Sequence, residues 1–272
     1  MNDGNMAAPN GRVLLELRDT VAVLTLNDPT VLNAFGFKLR HDITWALDRL
    51  DSLGARCLMI TGAGRAFCSG ANLNDPDRPP RDRAAEARGE VKSDLESWYN
   101  PTFIRLRDLE IPIVTAINGI AAGAGMSLAL MGDIRIAANS ASFLQAFARI
   151  GLVPDCGSSY VLPRMIGMAR AMELSLLADR LPAETALAWG MINRVVNDPD
   201  LPGQAMDIAT RLAEGPASLG LIRKMYWASL ENSYEQQLGL EAKLQMRAGL
   251  TADYTEGVTA FREKRRTRFT GK

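Results

Sequence analysis

Three short apolar-rich runs do most to limit what this chain can fold into. They are CLMIT (residues 57–61), IPIVTAI (111–117) and DIRIAA (133–138). CLMIT is a continuous apolar run that fits a strand buried on both faces, IPIVTAI reads as a second buried strand, and DIRIAA reads as a third strand. A sheet made of such strands needs helices to cover it. The intervening segments supply them: Leu39, Ile43, Ala46, Leu47 and Leu50 recur at helical spacing within residues 33–53, and a second helix is expected over about 91–109. Strand, helix and strand in alternation predict an α/β fold with right-handed crossovers. A hairpin precedes it, residues 13–17 and 21–26 flanking Arg18-Asp19-Thr20. From Met168 onward the signals are almost all helical, with Pro182 at a helix start and Gly215-Pro216 separating two helices. The expected division is an α/β core over 1–200 and a helical region over 201–272. Residues 77–88, polar and Pro-rich, form the best candidate for a mobile flap.

Composition narrows the function classes. The 31 basic and 31 acidic residues give a formal net charge of zero, whereas a nucleic-acid partner calls for a basic excess. The first residues, MNDGNMAAPNGR, show no basic segment leading into an apolar run. The longest apolar stretch, residues 111–131, is broken by Pro112, Asn118 and several glycines, so no membrane span is expected. Cys57, Cys68 and Cys156 have no CxxC spacing and no partner histidines. They read as reduced thiols of a cytoplasmic protein, and no metal site is expected.

Common cofactor motifs fail here. Gly62-Ala63-Gly64 begins a dinucleotide fingerprint, but Phe67 stands at its third glycine. There is no phosphate loop and no GxSxG elbow, and His41, the one histidine, falls in an expected helix. What remains is two small-residue segments, RAFCSGANL (65–73) and AAGAGMSLAL (121–130), each a strand running into a turn of Gly, Ala and Ser. Such turns let backbone approach a ligand and leave N–H groups free, and a helix expected over 126–131 adds its positive end. Two N–H donors, one per segment, make an oxyanion hole. The alternative is that small residues only permit close packing.

The third informative stretch is IGLVPDCGSSY (150–160), with one acid, Asp155, among apolar and small residues. An unpaired carboxylate there is costly. Desolvation by Phe147, Leu152 and Val153 would raise its pKa toward a value useful for taking protons from carbon. The other reading is an Asx turn, or an N-cap for a helix beginning near Gly157.

FCSGANL, NGIAAGAGMSLAL and GLVPDCGSSYVLPRMIG resemble the signature stretches of the crotonase (enoyl-CoA hydratase/isomerase) superfamily. The likeness runs from LTLNDPTVLNAF to the C-terminal end. It implies a spiral of ββα repeats, with C-terminal helices packing between subunits in a trimer or dimer of trimers. It implies an acyl-CoA thioester substrate, with coenzyme A present only as part of that substrate and no permanently bound cofactor. The hole donors would fall on Ala71 and Ala124. Substrate contacts would fall on Ala66, Ser69, Gly70, Asn72, Leu73, Gly123 and Phe147, and on Lys264 from the tail. Lys264 with Arg265, Arg266 and Arg268 also fits a plainly solvated basic tail, and Arg78, Arg81 and Arg83 fit either CoA-phosphate steering or a soluble loop.

The chain departs from the family pattern at the two glutamates that hydrate enoyl-CoA: Ser127 and Phe147 stand in their places. Asp155 lies where some relatives carry an aspartate, as a base in isomerases or a nucleophile in aryl-CoA dehalogenases. FARIGLVPDCG, the LPR that follows, WGMI (189–192) and the tail look most like the branch that rearranges ring-1,2-epoxyphenylacetyl thioesters in aerobic phenylacetate breakdown. The resemblance therefore implies an acyl-CoA isomerase, with Asp155 as its single acid/base, acting on 1,2-epoxyphenylacetyl-CoA, a 3-enoyl-CoA or both. The remaining readings are an enoyl-CoA hydratase (a lyase) using some other acid, and a silent acyl-CoA-binding subunit.

Overall fold

A computed structural model describes residues 6–272. Seven strands form the main sheet, in the spatial order Met6–Ala7, Val13–Arg18, Val21–Leu26, Cys57–Gly62, Ile113–Ile117, Ile134–Ala138 and Arg194–Val196. The first three pair antiparallel; from Val21–Leu26 onward every pair is parallel. Four shorter strands form a second sheet, in the order Leu181–Pro182, Ser142–Leu144, Ile120–Ala122 and Ala66–Cys68. The chain visits the two sheets in turn: Cys57–Gly62 then Ala66–Cys68, Ile113–Ile117 then Ile120–Ala122, Ile134–Ala138 then Ser142–Leu144. Each circuit is a ββα turn of a spiral, and the apolar runs carry its core, with Leu58, Ile60, Ile113 and Ile136 at no more than 1% exposure.

Several boundaries differ from expectation for identifiable reasons. The first helix is Phe37–Leu47, not 33–53. Asn33 instead adopts a left-handed backbone (φ 55°), which asparagine tolerates better than most residues. Its buried amide accepts from the Asp28 N–H at 2.8 Å and donates to the carbonyls of Ala63 and Ala66, both at 2.9 Å. The second helix starts late, with a π turn over Leu95–Tyr99 leading into Asn100–Asp108. Pro101, which has no N–H to give an α turn, sits at the junction. Residues 77–88 are tied down at several points. Asp82 caps a short helix, Arg83–Ala87, while Arg78 pairs with Asp94 at 2.7 Å and Arg81 with Glu86 at 2.5 Å. These two arginines are occupied by carboxylates, which argues against their steering phosphates.

The C-terminal third is not purely helical, because Arg194–Val196 closes the main sheet beside Ile134–Ala138. The helix Leu201–Ala213 packs across the strands of that sheet, so the core continues past residue 200. The helices Ser218–Ser229, Tyr234–Gly249 and Ala252–Glu263 then lie outward. One buried pair pins the first of them: Arg223 Nε donates to Asp133 at 2.8 Å, and its Nη groups donate to the carbonyls of Leu106, Arg107 and Leu109. The Arg223 side chain is 3% exposed, so Arg223→Met takes this donor from three carbonyls and leaves Asp133 with the Ile113 N–H at 2.7 Å. It should cost about 3 kcal/mol, read as a lower urea midpoint; a midpoint matching the parent's would show that the pair does not hold this helix.

Candidate active site

The parallel pairing of Ala66–Cys68 with Ile120–Ala122 puts the two glycine-rich turns side by side. Two glycines with positive φ stand where the turns meet. A Cβ on Gly70 (φ 97°) would stand 2.8 Å from the Ala122 carbonyl oxygen, and one on Gly123 (φ 51°) would lie 4.0 Å from Gly70 Cα. Only glycine meets both demands. The residues that follow, Ala71 and Ala124, therefore leave the contact together.

Ala124 opens the helix Ala124–Ala129, two residues earlier than expected, and no side chain caps it. Its N–H is thus one of the orphan donors of a helix start. Ala71 reaches the same condition differently. Phe35 bridges it in parallel, but the bonds run from Phe35 N–H to the Gly70 carbonyl (2.7 Å) and from Asn72 N–H to the Phe35 carbonyl (3.0 Å). In such a bridge the middle residue's own N–H points to the other side. Among the described residues neither N–H has an acceptor, so both are free for a ligand oxygen.

Asp155 follows a 3₁₀ turn, Ala146–Ile150, and precedes the helix Ser158–Ile166. It is not a cap: the N-cap is Gly157, with no side-chain cap bond. The turn is made by Cys156 (φ 53°) and Gly157 (φ 79°), both left-handed. The main-chain carbonyl of Asp155 accepts from Ser158 N–H and Oγ, each at 3.0 Å, and from Ser127 Oγ at 3.2 Å. Ser127, 2% exposed, also reaches the Gly123 carbonyl at 3.3 Å. The residue standing where a glutamate was expected thus ties the Asp155 loop to the helix start beneath Ala124.

The Asp155 carboxyl is left almost alone. Its Oδ1 is buried without a hydrogen-bond partner, the one carboxylate oxygen among the described residues in that state. Burial raises its pKa above the ordinary value, and the Cys156 thiol beside it opposes this only in part. Leu152 and Val153 are themselves largely exposed, at 57% and 79%, whereas Ser127 and Cys156 are buried. Burial also pushes the Cys68 thiol up to about 12 and the Cys156 thiol higher still, so neither is a nucleophilic thiolate at neutral pH.

The other expected contacts fall into three groups. Gly70, Gly123 and Phe147 meet beside the Ala71 and Ala124 N–H groups, the Phe147 ring standing 3.7 Å from the Cβ position of Gly123. Ser69, Asn72 and Leu73 form the rim: Ser69 is held by Leu32 and Val31, and Leu73 is 60% exposed. Ala66 and Lys264 stand apart. Ala66 is 1% exposed, with its carbonyl taken by Asn33 and Asn118, so it supports the loop from beneath. Lys264 ends the last helix in a left-handed conformation, exposed and without an ion pair among the described residues. A cleft of about 790 Å³ adjoins the outer side of the Asp155 loop, lined by Phe103, Cys156, Gly157, Tyr160 and Trp227, with Ala71 and Ala124 outside its lining. Among the described residues no group of His, Cys, Asp and Glu is arranged to hold a metal, and no helix is long and apolar enough to cross a membrane.

Two aromatic positions went unmarked by sequence reasoning. Tyr99 and Phe103, one helical turn apart, pack on Phe35 with ring centroids at 5.7 and 6.5 Å, and so line the region behind Ala71. The signal available was their i, i+4 spacing, which a plain core face shares.

The geometry agrees with relatives across nearly the whole chain. The family model described as enoyl-CoA hydratase/isomerase matches residues 16–272. A 1,2-epoxyphenylacetyl-CoA isomerase of Escherichia coli is 45% identical, the match covering 96% of this chain and 98% of the relative. A Rhodobacter capsulatus protein named as a probable enoyl-CoA hydratase is 44% identical over 94% and 97%. The solved structure of an enoyl-CoA hydratase from Bacillus anthracis superposes with a TM-score of 0.86 at 28% identity, covering 96% of this chain and all of that one.

Proposed function

The chain belongs to the enoyl-CoA hydratase/isomerase family, a family acting on acyl-CoA thioesters, and within it we propose an isomerase in which Asp155 moves the proton. The observation that carries this reading is the buried, unpaired Oδ1 of Asp155, together with Ser127 and Phe147 at the two glutamate positions. The thioester oxygen of the substrate accepts from the Ala71 and Ala124 N–H groups. As a proton leaves carbon, charge collects on that oxygen, where fixed donors act most strongly. Asp155 takes the proton from one carbon and returns it to another, so the double bond shifts and no water is added. One carboxylate suffices for this; hydration needs a second group to activate water.

For the substrate, the 45% identical relative supports the ring 1,2-epoxide of phenylacetyl-CoA, rearranged to its oxepin thioester. The Streptococcus mutans relative named trans-2-decenoyl-[acyl-carrier-protein] isomerase, 34% identical, supports movement of an isolated double bond as well. Coenzyme A enters only as the substrate's carrier. The apolar outward face of the last helices, including Leu250 at 84% and Phe261 at 86% exposure, fits packing against further copies in a trimer or dimer of trimers, and that packing would decide whether Lys264 meets a CoA phosphate. The balanced charge and three free, buried cysteines suit a reducing, cytoplasmic setting.

The test is to offer the purified protein the aryl epoxide thioester and analyse the products. A product of unchanged mass is expected; a water adduct as the sole product would replace this reading with hydration. The pH profile gives a second check. Because burial raises the Asp155 pKa, the carboxylate base is lost as pH falls through that raised value, above the ~3.9 of an ordinary aspartate. The acid limb of kcat/KM should therefore stand above that ordinary value, with full rate on its alkaline side. A limb at or below about 3.9 would contradict a desolvated base.

A further inference from the structure

Among the described residues, Arg40 is a buried cation without a counter-ion. It is 6% exposed, yet its Nε and Nη1 are buried with no hydrogen-bond partner, and no carboxylate pairs with it among the described residues. Its guanidinium carbon instead lies 5.1 Å from the Tyr99 ring centroid and 5.8 Å from those of Phe37 and Trp98. Leaving a charge in this condition is costly, and ring faces repay only part of that cost.

What Arg40 presses on is a phenol that is itself poorly satisfied. Tyr99 is 8% exposed, and its hydroxyl reaches one acceptor, the Phe35 carbonyl, at 3.5 Å. That is longer than a well-made O–H···O bond, and the same carbonyl already accepts from Asn72 N–H at 3.0 Å. Phe35 is the residue that bridges Ala71, so the hydroxyl stands directly behind the hole. Burial keeps the phenol protonated, and the nearby Asp155 carboxylate acts in the same direction. Tyr99 is thus an O–H donor with spare capacity close behind Ala71, and a cation over its ring strengthens it as a donor.

We infer that Tyr99, backed by Arg40, is a hydrogen-bonding subsite for an oxygen carried by the acyl group, so that the pocket selects thioesters with an acceptor oxygen beside the reacting carbons. The inference rests on the reading of the Ala71, Ala124 and Asp155 site as an acyl-thioester site, and it adds a specificity residue to it. A pocket that hydrogen-bonds a substrate oxygen discriminates against the analogue lacking it, because its own donor is then left unpaired.

Two nearly isosteric probes isolate the effect: the CoA thioesters of 2-methoxyphenylacetate and 2-ethylphenylacetate, with binding measured by calorimetry. The wild-type protein should bind the methoxy form about tenfold more tightly, Tyr99→Phe should erase the preference, and Arg40→Met should reduce it. Binding of both probes without preference by the wild-type protein would overturn the inference alone, and needs no variant to fold. A preference that survives in Tyr99→Phe would overturn it equally. Failure of both thioesters to bind would overturn it together with the proposed function. Asp155→Asn should keep the preference, so a mistaken base assignment shows up separately, as turnover by that variant.

Discussion

Asp155→Asn is expected to lower turnover by about 10²–10⁴-fold, while the fold persists and acyl-CoA binding stays within a few-fold of the parent. Asparagine has nearly the same shape but cannot take a proton from carbon. The loop does not depend on the carboxylate, because Ser127 and Ser158 hold the main-chain carbonyl and the side chain caps nothing. Stability should move the other way. A folded-state pKa raised by burial means that ionising Asp155 opposes folding, a penalty absent at low pH that appears as pH rises through the raised value. At neutral pH the asparagine variant should therefore melt higher than the parent, as sites kept for function at the expense of stability do. Steady-state kinetics and a thermal scan on the same preparation check both signs. Turnover within twofold of the parent would remove Asp155 from the chemistry.

Ala124→Pro should cost about 10²–10³-fold in kcat/KM with little loss of structure. Proline is normally fatal inside a helix because it lacks an N–H, but Ala124 is the first residue of its helix, where that N–H bonds nothing in the fold and the fixed φ is welcome. The substitution thus deletes one hole donor and puts a ring carbon where the thioester oxygen would sit. Circular dichroism unchanged from the parent, together with the expected kinetic loss, would identify the donor. Parent-like activity would mean that the thioester oxygen sits elsewhere.

Much of this site was legible in the residues. The two glycine turns announced their N–H donors because few other compositions tolerate backbones as close as Gly70 and Gly123, and Asp155 stood out as a lone acid in an apolar stretch. The apolar runs gave the buried strands directly. What the sequence hid was long-range. Ser127 read as a missing acid, and only the fold places its hydroxyl on the Asp155 carbonyl, 28 residues away. Asn33 fitted a helical pattern but serves three backbone groups of neighbouring loops. Leu152 and Val153 followed the rule that apolar residues are buried with their neighbours, yet both are themselves largely exposed. The strand Arg194–Val196 was too short to stand out among helices and forms because a parallel edge was waiting for it. Arg40 fell within an apolar helical stripe, where its aromatic surroundings were invisible.

The central claim is that Asp155 takes a proton from carbon and returns it, with no water entering the product. The most direct measurement is to incubate wild-type protein and Asp155→Asn with a 3-enoyl-CoA in deuterated water, following product mass and ultraviolet absorbance. The expected result is conjugated 2-enoyl-CoA from the wild-type protein, without added water, and substrate left essentially unchanged by the variant. A 3-hydroxyacyl-CoA product, or equal conversion by both proteins, would contradict it.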